Sequence, residues 1–374
     1  MIIVNKAQLV TISIIVFLII LSGSMDTVVA NEEQLTLTEI SSIVYARTCD
    51  VKVKGDTLYV LQADYGLATY NISDPTSPYR LGRCTDTYIF VHALIIDNGY
   101  AYVADYEDGL EIVDISDPTN LTIIGDYTAN AAAGSTDIHK SGDLAFLASQ
   151  SIGLEIINCS DIHNPVKIGS FYENHRVIRV YSFNNLVFIS EARNGFKILN
   201  ITDDGCLEIF HFHVTVTYQD FFVLNNLLYT TTEHGIMIFD ISDLSNIVQL
   251  GDKDIGVSYG FVIEQQSNQL IAYVSSWEAG VQILDITNPE KIELLAQYTD
   301  GGQSYNLAVS NNLIFVADFQ DGLEIIQIEN LDSISSLSNK SSSQTSTSTS
   351  LKGFNLFIGV FIFIGFLFDR RLRK

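Results

Sequence analysis

The chain has 374 residues, 47% of them hydrophobic, and carries 44 acidic against 20 basic side chains for a net charge of −24. That length supports a large core, and so acidic a surface repels phosphate backbones and excludes nucleic acid as a partner. It leaves cations and basic protein segments as compatible partners, and solubility as the plain reason for the charge.

In chain order, residues 1–30 read as a secretory signal: Lys6 supplies a basic start, Leu9 to Leu21 an apolar stretch and Val28-Val29-Ala30 a small-residue cleavage site. Cleavage is the favoured reading, because the apolar run is short for a membrane span; an uncleaved anchor is the other. Residues 34–330 form the main domain. Within it Gly109 to Tyr127, GLEIVDISDPTNLTIIGDY, reads as strand, turn, strand. Leu110, Ile112, Val113 and Ile115 make the apolar, largely β-branched run, and Ser116-Asp117-Pro118 the turn. The pattern recurs from Gly66, Gly153, Gly195, Gly235, Gly280 and Gly322, at intervals of 40 to 45 residues. A second hairpin precedes each glycine. Its turn is Asn98-Gly99 in the second copy, a strong hairpin signal, and Lys54-Gly55-Asp56, Ser141-Gly142-Asp143, Asn184-Asn185, Asn225-Asn226 or Asn311-Asn312 in others. Four strands in such a period match a propeller blade. The seventh copy stops at Asn330 without a fourth strand, and Leu35 to Ile40 is an unpaired candidate to supply it and close the ring.

Residues 331–352 form a Ser/Thr-rich stalk too polar to bury a core. Residues 353–368 are apolar and long enough as a helix to span about 24 Å, and the basic tail 369–374 sets a cytoplasmic end. The same layout fits a transmembrane helix or a C-terminal sorting signal, and both readings stand. Sequons lie at Asn71, Asn120, Asn158, Asn200 and Asn339; Asn120 sits in a turn, whereas Asn71, Asn158 and Asn200 hold the slot of Asp114, where a turn-bonding side chain is equally natural.

The GL-x-IVDISDP-x-x-P sentence is similar to the LVIVD repeat family, β-propellers common on prokaryotic cell surfaces. The resemblance runs from Gln34 to Asn330 and departs at Gly205-Cys206 and Glu329-Asn330, where the Asp-Pro turn is lost. It implies the fold and an extracellular setting, and no defined activity. The expected fold is therefore all-β: a seven-bladed β-propeller of four-stranded blades, with an N-terminal signal segment and a C-terminal transmembrane helix.

With strands A to D running from the channel outward, D–A links and B–C loops share one face and C–D turns the other. Alignment places Asp50, Ala93, Asp137, Arg179, Asp220, Gly260 and Asn306 at the heads of the inner strands, ringing one mouth of the channel. The B–C loops on that face carry acids and aromatics, notably Tyr106, Trp277 and Phe319, a mixture suited to a sugar, a cation or a basic protein segment. The competing reading has these rings packing over neighbouring blades. Arg179 neutralises the acids of its own ring, so no metal is expected there, and no cofactor motif is present. No G-x-S-x-G, H-E-x-x-H or phosphate loop occurs. His92 and His139 read as core histidines, while His211 and His213 share a strand face. Of the four cysteines, Cys49 and Cys84 open and close the first copy and could meet, and Cys159 falls in an apolar slot with Cys206 in a lost turn. The expected function is non-catalytic: a cell-surface scaffold binding an extracellular protein or glycan, held at the membrane by its C-terminal segment, with the oligomeric state open. The alternative is a glycan hydrolase or lyase working through an acidic channel mouth.

Overall fold

A computed structural model describes residues 35–331 except 45–46, 64, 86–90, 107, 129–133, 172–175 and 203–204. The expected signal segment, the apolar stretch 353–368 and Asn339 lie outside the described residues. No helix among the described residues is long and apolar enough to cross a membrane.

The described residues form 28 strands in seven four-stranded antiparallel sheets. In six of them the strands are consecutive in sequence. In the seventh the order is Thr36–Ile43, Gly322–Glu329, Leu313–Asp318, Ser304–Ser310, so the first strand completes the last blade. Its register runs from Thr36↔Glu329 to Ile43↔Leu323, three residues past the stretch the sequence marked out. Leu35 joins the apolar layer between blades 6 and 7, and Ile43 the layer between blades 7 and 1.

Seven apolar clusters occupy the seven seams between adjacent blades, so the core is a closed ring of layers. This accounts for the continuous apolar runs. A middle strand such as Tyr100–Asp105 or Gly109–Asp114 has a neighbouring blade on both faces and is buried along nearly its whole length, whereas the outer strand Val166–Phe171 is largely exposed. The seam between blades 4 and 5 is aromatic, built on Phe188, Phe196, Tyr218, Phe221 and Phe239.

Two glycine positions hold the repeat together. The glycine opening each C strand has φ between 73° and 125°, a left-handed conformation that a side chain resists. The outer-strand glycines act across a seam. A Cβ on Gly82 would lie 2.4 Å from the Pro118 carbonyl oxygen, one on Gly125 2.0 Å from that of Ile162, and one on Gly251 2.0 Å from that of Pro289. The turn between strands C and D of one blade thus rests on the outer strand of the blade before it. Just ahead of each lies a bulge that skips one apolar residue, Leu81, Ile124 or Leu250. Thr69 Oγ1 donates to Pro118 O at 2.6 Å, and at the closing seam Ser41 Oγ donates to Pro75 O at 2.7 Å.

Turn chemistry follows the reading. Asn98 and Gly99 both take positive φ. Asp117 Oδ1 accepts the Thr119 NH at 2.9 Å, and Asp114 Oδ1 that of Ser116 at 2.9 Å. Asn71 and Asn158 make the Asp114 bond in their own blades, to the Ser73 NH at 3.1 Å and the Ser160 NH at 2.9 Å, while Asn120 is an exposed turn residue. Cys49 and Cys84 lie on the inner and outer strands of blade 1, three strand spacings or roughly 14 Å apart, beyond disulfide reach. Their meeting is ruled out because one strand edge faces the channel and the other the rim. Cys159 is a buried free thiol, pushed up to about 11 by burial, and Cys206 is also free.

Candidate functional site

The inner strands are Thr48–Lys54, Val91–Asp97, Ser135–Ser141, Val177–Phe183, Tyr218–Leu224, Phe261–Gln266 and Ser304–Ser310. In all but that of blade 6, the register shifts immediately before the ring residue. A bulge re-aims the following side chain, and it turns this position across the seam. All seven predicted ring residues line one cavity of about 630 Å³ in the channel. It extends from the ring toward the A–B turns, past His139 and Tyr181 to Lys54, Asp97 and Val309, rather than out through the B–C loops.

The ring acids clasp blades together. Asp50 Oδ1 accepts the Val51 NH at 2.8 Å, Lys52 Nζ at 2.7 Å and Asn306 Nδ2 at 2.7 Å, and Oδ2 accepts the Leu94 NH of blade 2 at 2.8 Å. Asp137 Oδ2 takes the Val180 NH of blade 4 at 2.8 Å, and Asp220 Oδ2 the Phe261 NH of blade 6 at 3.4 Å. Acids in blades 1, 3 and 5 therefore bond into blades 2, 4 and 6, whose own ring residues are Ala93, Arg179 and Gly260. Seven is odd, so this alternation cannot close with acids alone. Asn306 fills the odd place, accepting the Leu307 NH at 2.8 Å through Oδ1 while its amide donates to Asp50. Gly260 leaves room for it, since a Cβ there would lie 2.1 Å from Asn306 Oδ1.

Arg179 crosses the channel. Its Nε donates to Gln219 O at 2.6 Å, Nη1 to Ile178 O at 2.9 Å and Nη2 to the Tyr305 hydroxyl of blade 7 at 3.1 Å. Burial disfavours its charge, but the facing Tyr305, Asp137 and Asp220 outweigh that and hold it protonated. Burial raises Asp137 to about 6 against the pull of Arg179, and burial with Asp137 raises Asp220 to about 7. His139 accepts the Ser182 NH at Nδ1, 3.1 Å, and burial with Lys52 lowers it to about 4, which keeps it neutral. It is one of the two core histidines the sequence indicated; the side chain of the other, His92, lies outside the described residues. His211 and His213 stack at 5.1 Å, sharing a face as expected.

On the B–C face, Trp277 and Phe319 meet each other at 6.3 Å and join Tyr259 and Tyr305, whose rings stack at 4.7 Å. All four are half-buried at the mouth of blades 6 and 7. Trp277 has φ of 30°, unusual for a bulky residue and a mark of a constrained site. Arg47 lies over Phe319 at 5.4 Å. Tyr106 stands apart, its ring covering Gly134 at the seam of blades 2 and 3. Tyr259 and Tyr305 went unrecognised in the sequence, although each directly precedes a ring position.

The acids of this face are deeper than loop chemistry indicated. Asp105, Glu191 and Asp318 end their B strands fully buried, and the third residue of the C strand is buried as well, as Glu111, Glu155, Lys197 or Glu324. In blade 4, Lys197 Nζ reaches Glu191 at 3.2 Å and Glu208 at 3.1 Å; in blade 3, Lys167 Nζ reaches Glu155 at 2.8 Å. In blade 7, burial and the neighbouring carboxylates of Asp300, Asp318 and Glu39 push Glu324 up to about 9.

Among solved structures the chain is similar to BamB from Moraxella catarrhalis (TM-score 0.56, 13% identity, 79% of this chain and 98% of that one) and to the computationally designed protein Ika8 (TM-score 0.55, 10% identity, 75% and 83%). Identities this low establish the fold alone. No curated protein matches the chain. The LVIVD repeat family model matches residues 46–86, 91–129, 218–252, 271–300 and 301–348, together more than half of the sequence. It passes over blades 3 and 4 entirely, whose strands Gly153–Asn158 and Gly195–Thr202 nevertheless repeat the same geometry. With the motif in phase, one blade per repeat and a ring sealed by its first strand, the chain belongs to the LVIVD repeat family.

Proposed function

We propose that this protein is a non-catalytic binding scaffold, displayed outside the cell and held at the membrane, that takes a protein or glycan ligand on the B–C face of blades 6 and 7. The carrying observation is the gathering of Tyr259, Trp277, Tyr305 and Phe319 into one half-buried aromatic platform. Such rings offer flat apolar area at small entropic cost, and truncating one at a desolvated contact commonly costs about 2 kcal/mol or more. Display rests on sequence: the signal-like residues 1–30, the stalk 331–352, the apolar segment 353–368 and the basic tail. The test is capture on glycan and protein arrays by the purified chain and by Trp277→Ala and Phe319→Ala. Loss of capture with an unchanged melting temperature supports the platform; undiminished capture by both variants sinks it.

One observation favours the catalytic alternative: Asp137 and Asp220, held at about 6 and about 7, face a channel cavity. Both spend their carboxylates on backbone NH groups of the next blade, which is why binding is preferred. Turnover of a glycan panel that disappears in Asp137→Asn or Asp220→Asn would reverse that preference.

A further inference from the structure

The B–C loops of blades 2 and 7 share the pattern D-[YF]-x-D-G-L-E, as Asp105 to Glu111 and Asp318 to Glu324, and no other blade carries its three acids. In both blades three carboxylates converge. Oxygens of Asp300, Asp318 and Glu324 lie within 4.8 Å of one another, and so do those of Asp105, Asp108 and Glu111. Asp321 joins the blade 7 group, because a Cβ on Gly302 would lie 2.3 Å from Asp318 Oδ2 and 3.1 Å from Asp321 Oδ2. A glycine there leaves open the space on which both oxygens converge.

One of these carboxylates is buried with an oxygen left unpaired, and a second is buried against a further carboxylate. Asp318 is 0% exposed; its Oδ1 accepts the Gln320 and Asp321 NH groups at 2.8 Å each, while Oδ2 has no hydrogen-bond partner. Glu324 is 3% exposed, and its polar neighbour is another carboxylate, Asp300. Among the described residues no lysine or arginine forms an ion pair with any of the four acids. An uncompensated buried charge costs several kcal/mol. Other blades show how the slot is otherwise filled. Blade 4 replaces the glutamate by Lys197, whose ammonium sits against Glu191, and blade 3 brings Lys167 to Glu155. The slot takes a cation wherever the chain supplies one.

We propose that the blade 7 loop binds a divalent cation of the calcium type, held by Asp300, Asp318, Asp321 and Glu324. The donors are all oxygen, which selects a hard ion. Asp318 and Glu324 form the floor, and the exposed Asp300 and Asp321 form a rim open to a hydrated ion. Water and backbone carbonyls complete the six to eight ligands such an ion takes. The ion ties the link leaving blade 6 to the loop that carries Phe319, beside the aromatic platform. The repeated pattern marks blade 2 as the second place to look.

The test uses the purified full chain, stripped with EDTA. Calcium chloride is titrated by calorimetry and by its effect on melting temperature. Terbium is added as a luminescent probe excited through Trp277, the chain's single tryptophan, whose ring is 6.3 Å from Phe319. Expected are saturable binding, a rise in melting temperature with calcium and tryptophan-sensitised terbium emission. Glu324→Gln and Asp321→Asn should weaken binding at least tenfold. Glu324→Lys, which copies blade 4, should melt in EDTA near the calcium-loaded wild type and gain nothing from calcium. No calcium-dependent shift or emission in the wild type overturns the proposal, as does unchanged affinity in both weakened variants. A Glu324→Lys chain that stays as calcium-responsive as the wild type overturns it too.

Discussion

Replacing Asp50 by alanine separates a clasp from a ligand-binding acid. The carboxylate is 3% exposed and accepts four hydrogen bonds that join blades 7, 1 and 2. Two of the donors are backbone NH groups of Val51 and Leu94, residues 0% and 1% exposed. A buried donor left without an acceptor costs about 1–3 kcal/mol, so these two alone set a loss of about 2–6 kcal/mol. Water in the adjoining cavity draws the result toward the lower end, and Lys52 and the Asn306 amide add little because they can turn to that water. In a domain of this size each kcal/mol moves the melting temperature by about 2 °C, so scanning calorimetry should show Asp50→Ala melting at least about 4 °C below wild type. Asp50→Asn keeps one acceptor oxygen and should lose less. If Asp50→Ala melts within about 1 °C of wild type, the clasp is wrong and the ring is better read as a binding site, because residues kept for function often leave stability unchanged or improved when removed.

Other predictions follow from the same geometry. Deleting residues 35–43 removes the strand that seals blade 7 and exposes the edge of Gly322–Glu329; the truncated chain should melt well below the intact one and aggregate on heating, and equal melting would refute the closure. Gly125→Ala drives a Cβ to 2.0 Å from the Ile162 carbonyl, a clash with backbone that no rotamer relieves, so denaturant titration should show a loss of about 1–3 kcal/mol or more, whereas Gly142→Ala meets no atom within 4 Å and should lose only the about 1 kcal/mol that its left-handed φ of 55° costs a side chain. Asp137 and Asp220 are raised by burial above the ordinary carboxylate value. Their contribution to stability is complete below that value, near 3.8, and is lost as pH rises through about 6 and about 7. The stability of wild type relative to Asp220→Asn should therefore fall between pH 4 and pH 8, and a flat difference would show that Asp220 is not held protonated.

Much of this architecture is carried by local sequence. The period, the Asn-Gly and Asp-Pro turns and the unpaired strand at the start of the domain are short-range features, each set by the conformations of a few neighbouring residues, and they appear in the structure where the sequence placed them. The seven ring positions were also readable, because in-phase repeats put equivalent residues at equivalent places. Their role was not. Whether Asp50 faces a ligand or the Leu94 NH depends on a bulge and on the approach of a second blade, neither of which a single repeat encodes. For the same reason the burial of Glu111, Glu155, Lys197 and Glu324 was not legible in one repeat, since only a blade between two others has no solvent side. The grouping of Asp300 with Asp318 and Glu324, and of Tyr259 with Trp277, joins residues from the link and the loops of adjacent blades. Only closure of the ring brings such residues together: composition and period determine that there are seven blades, and packing across the seams decides which side chains meet.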